Sequence, residues 1–215
     1  MSTVVAIDGP AGAGKSTVAK MLAEKMGFTY VNTGSLYRAV AWSLVQAGLS
    51  SDDVSPEFLD SIEMEYQNGV LMVNGEDPGV QLRSAEIASG ASMVSKKDFV
   101  RARLLPVQRD AADKGWIVME GRDIGTVIFP DAKCKFFVTA SLEERARRRL
   151  AQNGEIVQGA TLSDVMQDIA KRDEQDSKRE IAPLKAADDA IVIDTGNMTP
   201  DEVVIAMEKV IVSRM

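Results

Sequence analysis

The chain has 215 residues and a formal net charge of −7, and 45% of its residues are hydrophobic. This length and composition suit one globular domain with a sizeable core and argue against intrinsic disorder. The acidic balance argues against nonspecific binding to nucleic acid or anionic membranes, because both need a basic surface. We therefore expect neither nucleic acid nor a membrane as a partner.

The chain contains no histidine and one cysteine. The absence of histidine excludes histidine-based activation of a nucleophile and histidine-ligated metals. Its single cysteine, Cys134, excludes an intrachain disulfide and a thiolate zinc site, and its apolar neighbours indicate a buried strand. No apolar run has the length of a membrane span. A strand-like run at Val4-Val5-Ala6-Ile7 leaves no room for a signal peptide, so we expect a cytoplasmic protein.

Short β-branched runs alternate with longer helical patterns along most of the chain. The runs predict five core strands, over Thr3–Asp8, Phe28–Val31, Trp116–Met119, Lys135–Val138 and Ile191–Ile193. Helical spacing predicts helices over Thr17–Met26, Ser35–Ala47, Ser141 to about Gln152, Thr161–Glu174 and the segment after the capping box Thr199-Pro200-Asp201-Glu202. This alternation predicts an α/β fold with a parallel five-stranded sheet covered by helices on both faces.

The stretch between the second and third predicted strands breaks this rhythm. The run Leu71-Met72-Val73-Asn74-Gly75-Glu76 carries an Asn-Gly hairpin signal. We interpret residues from roughly Glu63 to Gln81 as a small β-rich insert. A helical pattern with several breaks then runs from Arg83 to about Lys114.

The first predicted strand leads into Gly9-Pro10-Ala11-Gly12-Ala13-Gly14-Lys15-Ser16, a full match to the phosphate-binding loop G-x-x-x-x-G-K-[ST]. Glycines let backbone N–H groups converge on phosphate oxygens, and the following helix N-terminus adds partial positive charge. Lys15 can then reach the β- and γ-phosphates of a nucleoside triphosphate, and Ser16 can ligate Mg²⁺. GTPases, motor ATPases and small-molecule kinases share this loop, so it does not choose among them.

Four arginine-bearing segments lie at predicted strand ends or beside a polar loop. They contain Arg38, Arg122, the face formed by Arg145, Arg148 and Arg149, and the series Arg172, Asp176 and Arg179. The i, i+4, i+7 spacing of that series would put Asp176 between two guanidinium groups on one helical face. A solvated helix surface and a surface ion-pair ladder are the alternatives for the last two segments taken alone. Together with the missing N-K-x-D guanine-reading segment, the four segments favour phosphoryl transfer to a small phosphate.

These residues resemble the bacterial cytidylate kinases, a family of nucleoside monophosphate kinases. The resemblance covers nearly the whole chain and is carried by Ile7-Asp8-Gly9-Pro10 with the phosphate-binding loop, Thr33–Arg38, Ala91-Ser92, Glu120–Ala132, Ala140–Arg149, Lys171–Asp176, Arg179 and Ala182-Pro183-Leu184. The β-rich insert resembles the extended monophosphate-binding region of the bacterial enzymes. Asn32 and Glu120 depart from the family pattern, because the family often has aspartate at both places.

The resemblance also implies a set of site residues. ATP would lie against Gly9, Pro10, Ala11, Gly12, Ala13, Gly14, Lys15, Ser16 and Thr17, with Ser16 as the Mg²⁺ ligand. The residues that would act on the transferring group are Lys15, Arg122, Arg148, Arg149 and Arg172, of which Arg148 and Arg149 would belong to a lid. The CMP phosphate would be held by Thr33, Tyr37, Arg38 and Arg122. The cytosine edge would meet Ser92, Arg101 and Asp123, with Arg179 nearby, and the ribose would meet Arg172 and Asp176.

The implied activity is ATP-dependent phosphorylation of CMP and dCMP by direct in-line transfer, in pyrimidine nucleotide metabolism. The alternatives are a UMP or AMP acceptor and, from another class, a nucleotide-dependent binding or switch protein. The resemblance implies one domain over residues 1–215, with a core at about 1–32, 115–150 and 175–215, a monophosphate-binding region at about 33–114, and a short lid at about 150–162. We expect a monomer, since no long apolar stripe is left over.

Overall fold

The computed structural model describes residues 3–113, 115–151 and 159–214. Its strands in chain order are β1 (Val4–Asp8), β2 (Thr29–Asn32), β3 (Met64–Gln67), β4 (Val70–Val73), β5 (Ile117–Gly121), β6 (Cys134–Thr139) and β7 (Ile191–Asp194). Five of these strands form a parallel sheet in the order β2-β5-β1-β6-β7, and β3 pairs with β4 in a separate antiparallel hairpin. The α/β class and the parallel five-stranded sheet predicted from the sequence are confirmed.

The helices of the described residues are α1 (Lys15–Met26), α2 (Gly34–Gln46), α3 (Pro56–Asp60), α4 (Ala85–Val94), α5 (Asp98–Asp110), α6 (Leu142–Leu150), α7 (Leu162–Ser177) and α8 (Pro200–Arg214). The capping side chains predicted for α6 and α8 are present, because the hydroxyls of Ser141 and Thr199 accept hydrogen bonds from the N–H groups of Glu144 and Glu202. Gln152, the predicted end of α6, lies outside the described residues. None of the helices in the described ranges is long and apolar enough to cross a membrane.

Alternate residues of the central strands face two separate apolar layers. In β1, Val4 and Ala6 pack into the layer that contains α2, α5 and the β3–β4 hairpin. Val5 and Ile7 point the other way, into the layer that contains α1 and α8. This period of two follows from strand geometry, and burial of both faces explains why the strands are apolar throughout. Cys134 lies in the second layer and is buried, as its neighbours predict.

The insert differs from the sequence-based expectation in the position of its turn. The connection between β3 and β4 is Asn68-Gly69, and both residues have positive φ, as a tight hairpin turn requires. Asn74-Gly75, the predicted hairpin turn, forms a second tight turn after β4 that is closed by a bridge between Val73 and Glu76. The sequence contains two Asn-Gly pairs only six residues apart, and the strands flank the first of them.

The structure locates one of the predicted helix breaks and adds one element that was not expected from the sequence. The helical pattern from Arg83 onward separates into α4 and α5, because Lys97 adopts an extended conformation between them. Residues Ile124–Ile128, after β5, form a turn of π-helix. This turn lies at the carboxyl end of the sheet, where the loop after β1 also lies. The Asp8 side chain of β1 accepts hydrogen bonds from the backbone of the turn.

Candidate active site

The phosphate-binding loop connects the end of β1 to α1, at the place where open parallel sheets bind ligands. A side chain at Gly9 would collide with the carbonyl oxygen of Val138 on the neighbouring strand β6. A Cβ atom at Gly12 would lie 2.8 Å from the carbonyl oxygen of Arg145, and the φ of Gly12 is +76°. The two glycines therefore let the loop pack against β6 and α6 while its N–H groups converge at the start of α1.

One cavity of about 700 Å³ opens over this loop and extends to the β3–β4 hairpin. Its walls combine residues of the loop, β2, α2, β5 and α7 with residues of the insert, among them Tyr66, Leu71, Asp77, Leu82 and Arg83. The chain has a net charge of −7, yet basic side chains outnumber acidic ones along these walls. The basic residues are Lys15, Lys20, Arg38, Arg83, Arg101, Arg122, Arg149, Arg172 and Arg179, and the acidic ones are Asp77, Glu120, Asp123 and Asp176. Such a cavity suits a polyanionic ligand.

The cations at the centre of this cavity lie close enough to repel one another. Lys15 is 6% exposed, and its Nζ donates a hydrogen bond to the carbonyl oxygen of Pro10 at 2.7 Å. Burial and then the charge of Arg122 lower the pKa of Lys15 well below its usual value. Burial and the same neighbour lower the pKa of Arg172 to about 10. Phosphate oxygens among these groups would relieve both effects.

Asp8, at the end of β1, fixes the π-helical turn that follows β5. Its two carboxylate oxygens accept hydrogen bonds from the N–H groups of Ile124 and Gly125, both at 2.8 Å. Burial raises the pKa of Asp8 to about 6, although these two hydrogen bonds oppose the rise. The segment that carries Arg122 and Asp123 is thereby held against the phosphate-binding loop.

This raised pKa predicts a specific pH dependence of stability. The folded state holds the Asp8 proton more tightly than the unfolded chain, whose pKa is 3.8, so the Asp8 contribution to the free energy of unfolding falls as pH rises from about 4 to about 6. The full loss is about 3 kcal/mol. In Asp8→Asn this component is missing, so the variant should gain stability relative to the wild type across that range. Chemical denaturation of both proteins between about pH 4 and pH 7 measures the difference; a difference that stays constant with pH would contradict the raised pKa.

Asp176 is buried near the end of α7 and contacts two guanidinium groups. Arg122 Nε donates a hydrogen bond to Asp176 Oδ2 at 3.1 Å, and Arg179 Nη2 lies 3.4 Å from Oδ1. The two partners are therefore Arg122 and Arg179, and not Arg172 and Arg179 as the helical spacing predicts. The physical reason is that α7 ends at Ser177, so Arg179 lies beyond the helix and its Nε donates back to the carbonyl oxygen of Asp176.

A second carboxylate–guanidinium pair lies beside this group. Asp123 is 5% exposed, and it accepts a hydrogen bond from Arg101 Nη2 of α5. The Arg101 guanidinium in turn lies over the ring of Tyr37, with 5.6 Å between its Cζ atom and the ring centre. Chain segments that are far apart in the sequence thus meet at one end of the cavity.

Most sequence-predicted site residues line this cavity, but four of them do not. Ser92 of α4 does not line the cavity, whereas Ala91 and Ser95 of the same region do. Arg148 is also outside the described walls, because Thr195 binds it: Nη1 donates to Thr195 Oγ1 at 2.8 Å and Nη2 to the Thr195 carbonyl oxygen at 2.7 Å. Gly9 and Pro10 are also outside the described walls, although the Pro10 carbonyl oxygen accepts the Lys15 hydrogen bond. The predicted lid lies largely outside the described residues.

The sequence reasoning missed a pair of residues that supports the loop from behind. Arg145 is 8% exposed and donates hydrogen bonds to the Ala11 carbonyl oxygen and to Asp173 Oδ2, while Asp173 Oδ1 accepts from the Ala11 N–H group at 3.3 Å. Both backbone polar groups of Ala11 are therefore held by side chains of α6 and α7. Helical spacing alone gives no signal for this, since Arg145 shares a face with the other arginines of α6.

Three oxygen-bearing side chains on the cavity wall could serve a magnesium ion. They are the Ser16 hydroxyl of α1, the Asn32 amide of β2 and the Glu120 carboxylate of β5, and the last two residues are paired across the sheet. Oxygen donors are the ligands that Mg²⁺ prefers, and Mg²⁺ usually combines one or two protein ligands with substrate phosphates. Within the described ranges, no cluster of three or more His, Cys, Asp or Glu could hold a metal ion by itself. The donor set fits a Mg²⁺ ion that arrives with a nucleotide.

The matching family model and the similar curated proteins carry the same name. The family model for cytidylate kinase matches residues 5–213. The cytidylate kinase of Thermotoga maritima is 45% identical over 218 residues, which cover 100% of this chain and 99% of that protein. The cytidylate kinase of Geobacter sp. (strain M21) is 43% identical, with 99% of this chain and 94% of that protein covered.

Solved structures resemble this chain at low sequence identity. An uncharacterized protein from Eubacterium ventriosum covers 100% of both chains with a TM-score of 0.57 and 16% identity. The shikimate kinase of Bacteroides thetaiotaomicron covers 97% of both chains with a TM-score of 0.50 and 14% identity. At such identities the likeness shows the fold alone.

Proposed function

The chain belongs to the cytidylate kinase family, and we propose that it transfers the γ-phosphoryl group of ATP directly to the phosphate of CMP, giving CDP and ADP. It accepts dCMP in the same way. The observation that carries this proposal is the single cavity in which a phosphate-binding loop faces a set of carboxylate-paired arginines. Such a cavity can bind two phosphorylated molecules end to end.

The donor end is the phosphate-binding loop from Gly9 to Thr17. Its N–H groups and the start of α1 bind the β- and γ-phosphates of ATP, and Lys15 exchanges the Pro10 carbonyl for a phosphate oxygen. Ser16 holds Mg²⁺, which neutralises charge on the phosphates when it is bound. Arg149 lines the cavity from the last turn of α6 and acts on the transferring group together with Arg122 and Arg172. Arg148, bound to Thr195, stabilises the loop from behind in this arrangement.

The acceptor end binds CMP. Arg38, Arg122, Thr33 and Tyr37 hold its phosphate, and Arg172 with Asp176 holds the ribose. Asp123, oriented by Arg101, accepts a hydrogen bond from the amino group of cytosine, which is the pairing that carboxylates make with this base. Uracil presents a carbonyl oxygen at that position, so it would face the carboxylate with repulsion. Arg179 and Arg101 supply donors for the remaining ring acceptors.

The chemistry needs no general base. A phosphate oxygen of CMP is already anionic at neutral pH and can attack the γ-phosphorus in line. The chain's contribution is to hold donor and acceptor in one orientation and to surround the transferring group with fixed positive charge. The missing histidine is consistent with this route, whereas a sugar kinase would have to deprotonate a hydroxyl.

The donor site, the acceptor site and the lid lie in different parts of the chain in this proposal. A core at about residues 1–32, 115–150 and 175–215 carries the donor site, residues at about 33–114 carry the acceptor site, and a short lid at about 150–162 closes over the phosphates and excludes water. The enzyme acts as a cytoplasmic monomer in pyrimidine nucleotide metabolism. It takes small-molecule substrates and has no nucleic-acid partner.

A panel of nucleoside monophosphates with ATP and Mg²⁺ tests the acceptor. We expect turnover of CMP and dCMP and a kcat/KM for UMP that is lower by roughly 10-fold or more, because one mismatched base contact costs about 1–3 kcal/mol. AMP and GMP should be poorer still. A kcat/KM for AMP equal to or above that for CMP would refute the acceptor assignment.

A further inference from the structure

The phenol of Tyr30 on β2 forms hydrogen bonds with two polar side chains of the donor site. Its hydroxyl donates a hydrogen bond to Glu120 Oε1. Asn32 Nδ2 donates to the same phenol oxygen at 3.3 Å, and Ser16 lies on the same cavity wall. All four residues line the cavity, and Glu120 is 3% exposed.

Counting donors and acceptors fixes the direction of these hydrogen bonds. A tyrosine hydroxyl has one hydrogen, and in Tyr30 this hydrogen goes to Glu120. The phenol oxygen can therefore only accept from Asn32. Asn32 uses an amide hydrogen on the phenol, and its amide oxygen carries lone pairs that a cation in the cavity can take.

We propose that Tyr30 is a positioning residue for the magnesium complex of ATP, because its phenol fixes the Glu120 carboxylate and the Asn32 amide on the cavity wall that also carries Ser16. The inference rests on the proposed function and on Ser16 as the metal ligand. Partners behind a ligand commonly set its orientation, and their loss weakens metal binding. Lys20 Nζ also lies 5.4 Å from the centre of the Tyr30 ring.

The same contacts give a physical reason for the two residues that depart from the family pattern. Glu120 is one methylene longer than aspartate, and the Tyr30 hydroxyl determines where the longer side chain ends. Asn32 donates its amide hydrogen to the phenol oxygen, which an aspartate carboxylate could not do. Tyr30, Asn32 and Glu120 therefore act as one unit.

Tyr30→Phe removes the hydroxyl and keeps the ring, so it isolates this role. Calorimetry would measure ATP affinity of the wild type and the variant, each with excess Mg²⁺ and with EDTA. We expect Mg²⁺ to tighten ATP binding by the wild type, and we expect Tyr30→Phe to lose roughly 10-fold or more of that tightening. The affinity for ATP in EDTA should change by less than about 2-fold, and the Mg²⁺ concentration for half-maximal activity should rise.

Tyr66→Phe is the matched control, because Tyr66 also lines the cavity but its hydroxyl donates to the Asn32 carbonyl oxygen. Its ratio of affinities with and without Mg²⁺ should equal that of the wild type. The inference is overturned if Tyr30→Phe keeps the full Mg²⁺ effect while its melting temperature shows that it is folded. A wild type whose ATP affinity ignores Mg²⁺ would instead refute the metal assignment of the proposed function, and with it the inference.

Discussion

Lys15→Met is expected to lower kcat by about 10²-fold or more while the protein keeps its fold. The Lys15 ammonium lies inside the phosphate-binding loop, 2.7 Å from the Pro10 carbonyl oxygen, and faces the cavity where the γ-phosphate would lie. One preorganised contact to developing charge is worth about 2.7–4 kcal/mol of transition-state stabilisation, which sets the size of the effect. Methionine keeps most of the length of the side chain and removes the ammonium group. Steady-state kinetics at saturating ATP and CMP would measure it.

Lys25→Met is the matched control for this substitution. Lys25 lies on the same helix, but its ammonium forms a surface ion pair with Glu208. Surface pairs contribute little, so this variant should retain the kcat of the wild type and lose at most about 1 kcal/mol of stability. A Lys15→Met enzyme with a kcat near that of the wild type would remove Lys15 from the catalytic residues.

Asp176→Ala is expected to lower kcat/KM for CMP by roughly 10- to 150-fold while KM for ATP changes little. Asp176 lies between Arg122 and Arg179 on the acceptor side of the cavity. An ionised carboxylate there can accept a hydrogen bond from a ribose hydroxyl, and loss of such a charge-assisted bond costs about 1.5–3 kcal/mol. The alanine also leaves two guanidinium groups without their counter-charge, so the melting temperature should fall as well.

Comparing the change in kcat/KM for CMP with the change in KM for ATP decides the role of Asp176. A purely structural ion pair predicts a lower melting temperature with unchanged CMP kinetics, and that result would exclude Asp176 from the site. Glu174→Ala is the control, because Glu174 forms an exposed ion pair with Lys178 on the same helix. It should change neither CMP kinetics nor ATP kinetics.

The strands and the loop after the first strand could be predicted because their signals are local. Each central strand is a short β-branched run, and the observed strands begin and end within two residues of the predicted bounds. The loop has a fixed spacing whose backbone geometry depends on its own glycines. The hairpin turn was misplaced for the same local reason, since Asn68-Gly69 and Asn74-Gly75 carry the same signal and only strand pairing distinguishes them.

Side-chain partners across the fold could not be predicted in the same way. Helical spacing groups Arg145, Arg148 and Arg149 on one face, yet the first binds the loop, the second binds Thr195 and the third lines the cavity. Tyr30 gives no signal in the sequence, because it meets Glu120 only when β2 pairs with β5. Such contacts depend on the order of strands in the sheet and on where each helix ends.

The fate of the γ-phosphoryl group tests the proposed reaction most directly. The protein would be incubated with Mg²⁺, CMP and ATP labelled at its γ-phosphorus, and the products would be separated. The label is expected in the β-phosphate of CDP, with little inorganic phosphate formed, because transfer goes straight to the CMP phosphate bound beside the phosphate-binding loop. Label released as inorganic phosphate at a rate independent of CMP would contradict the kinase reaction and indicate a nucleotide-hydrolysing switch protein.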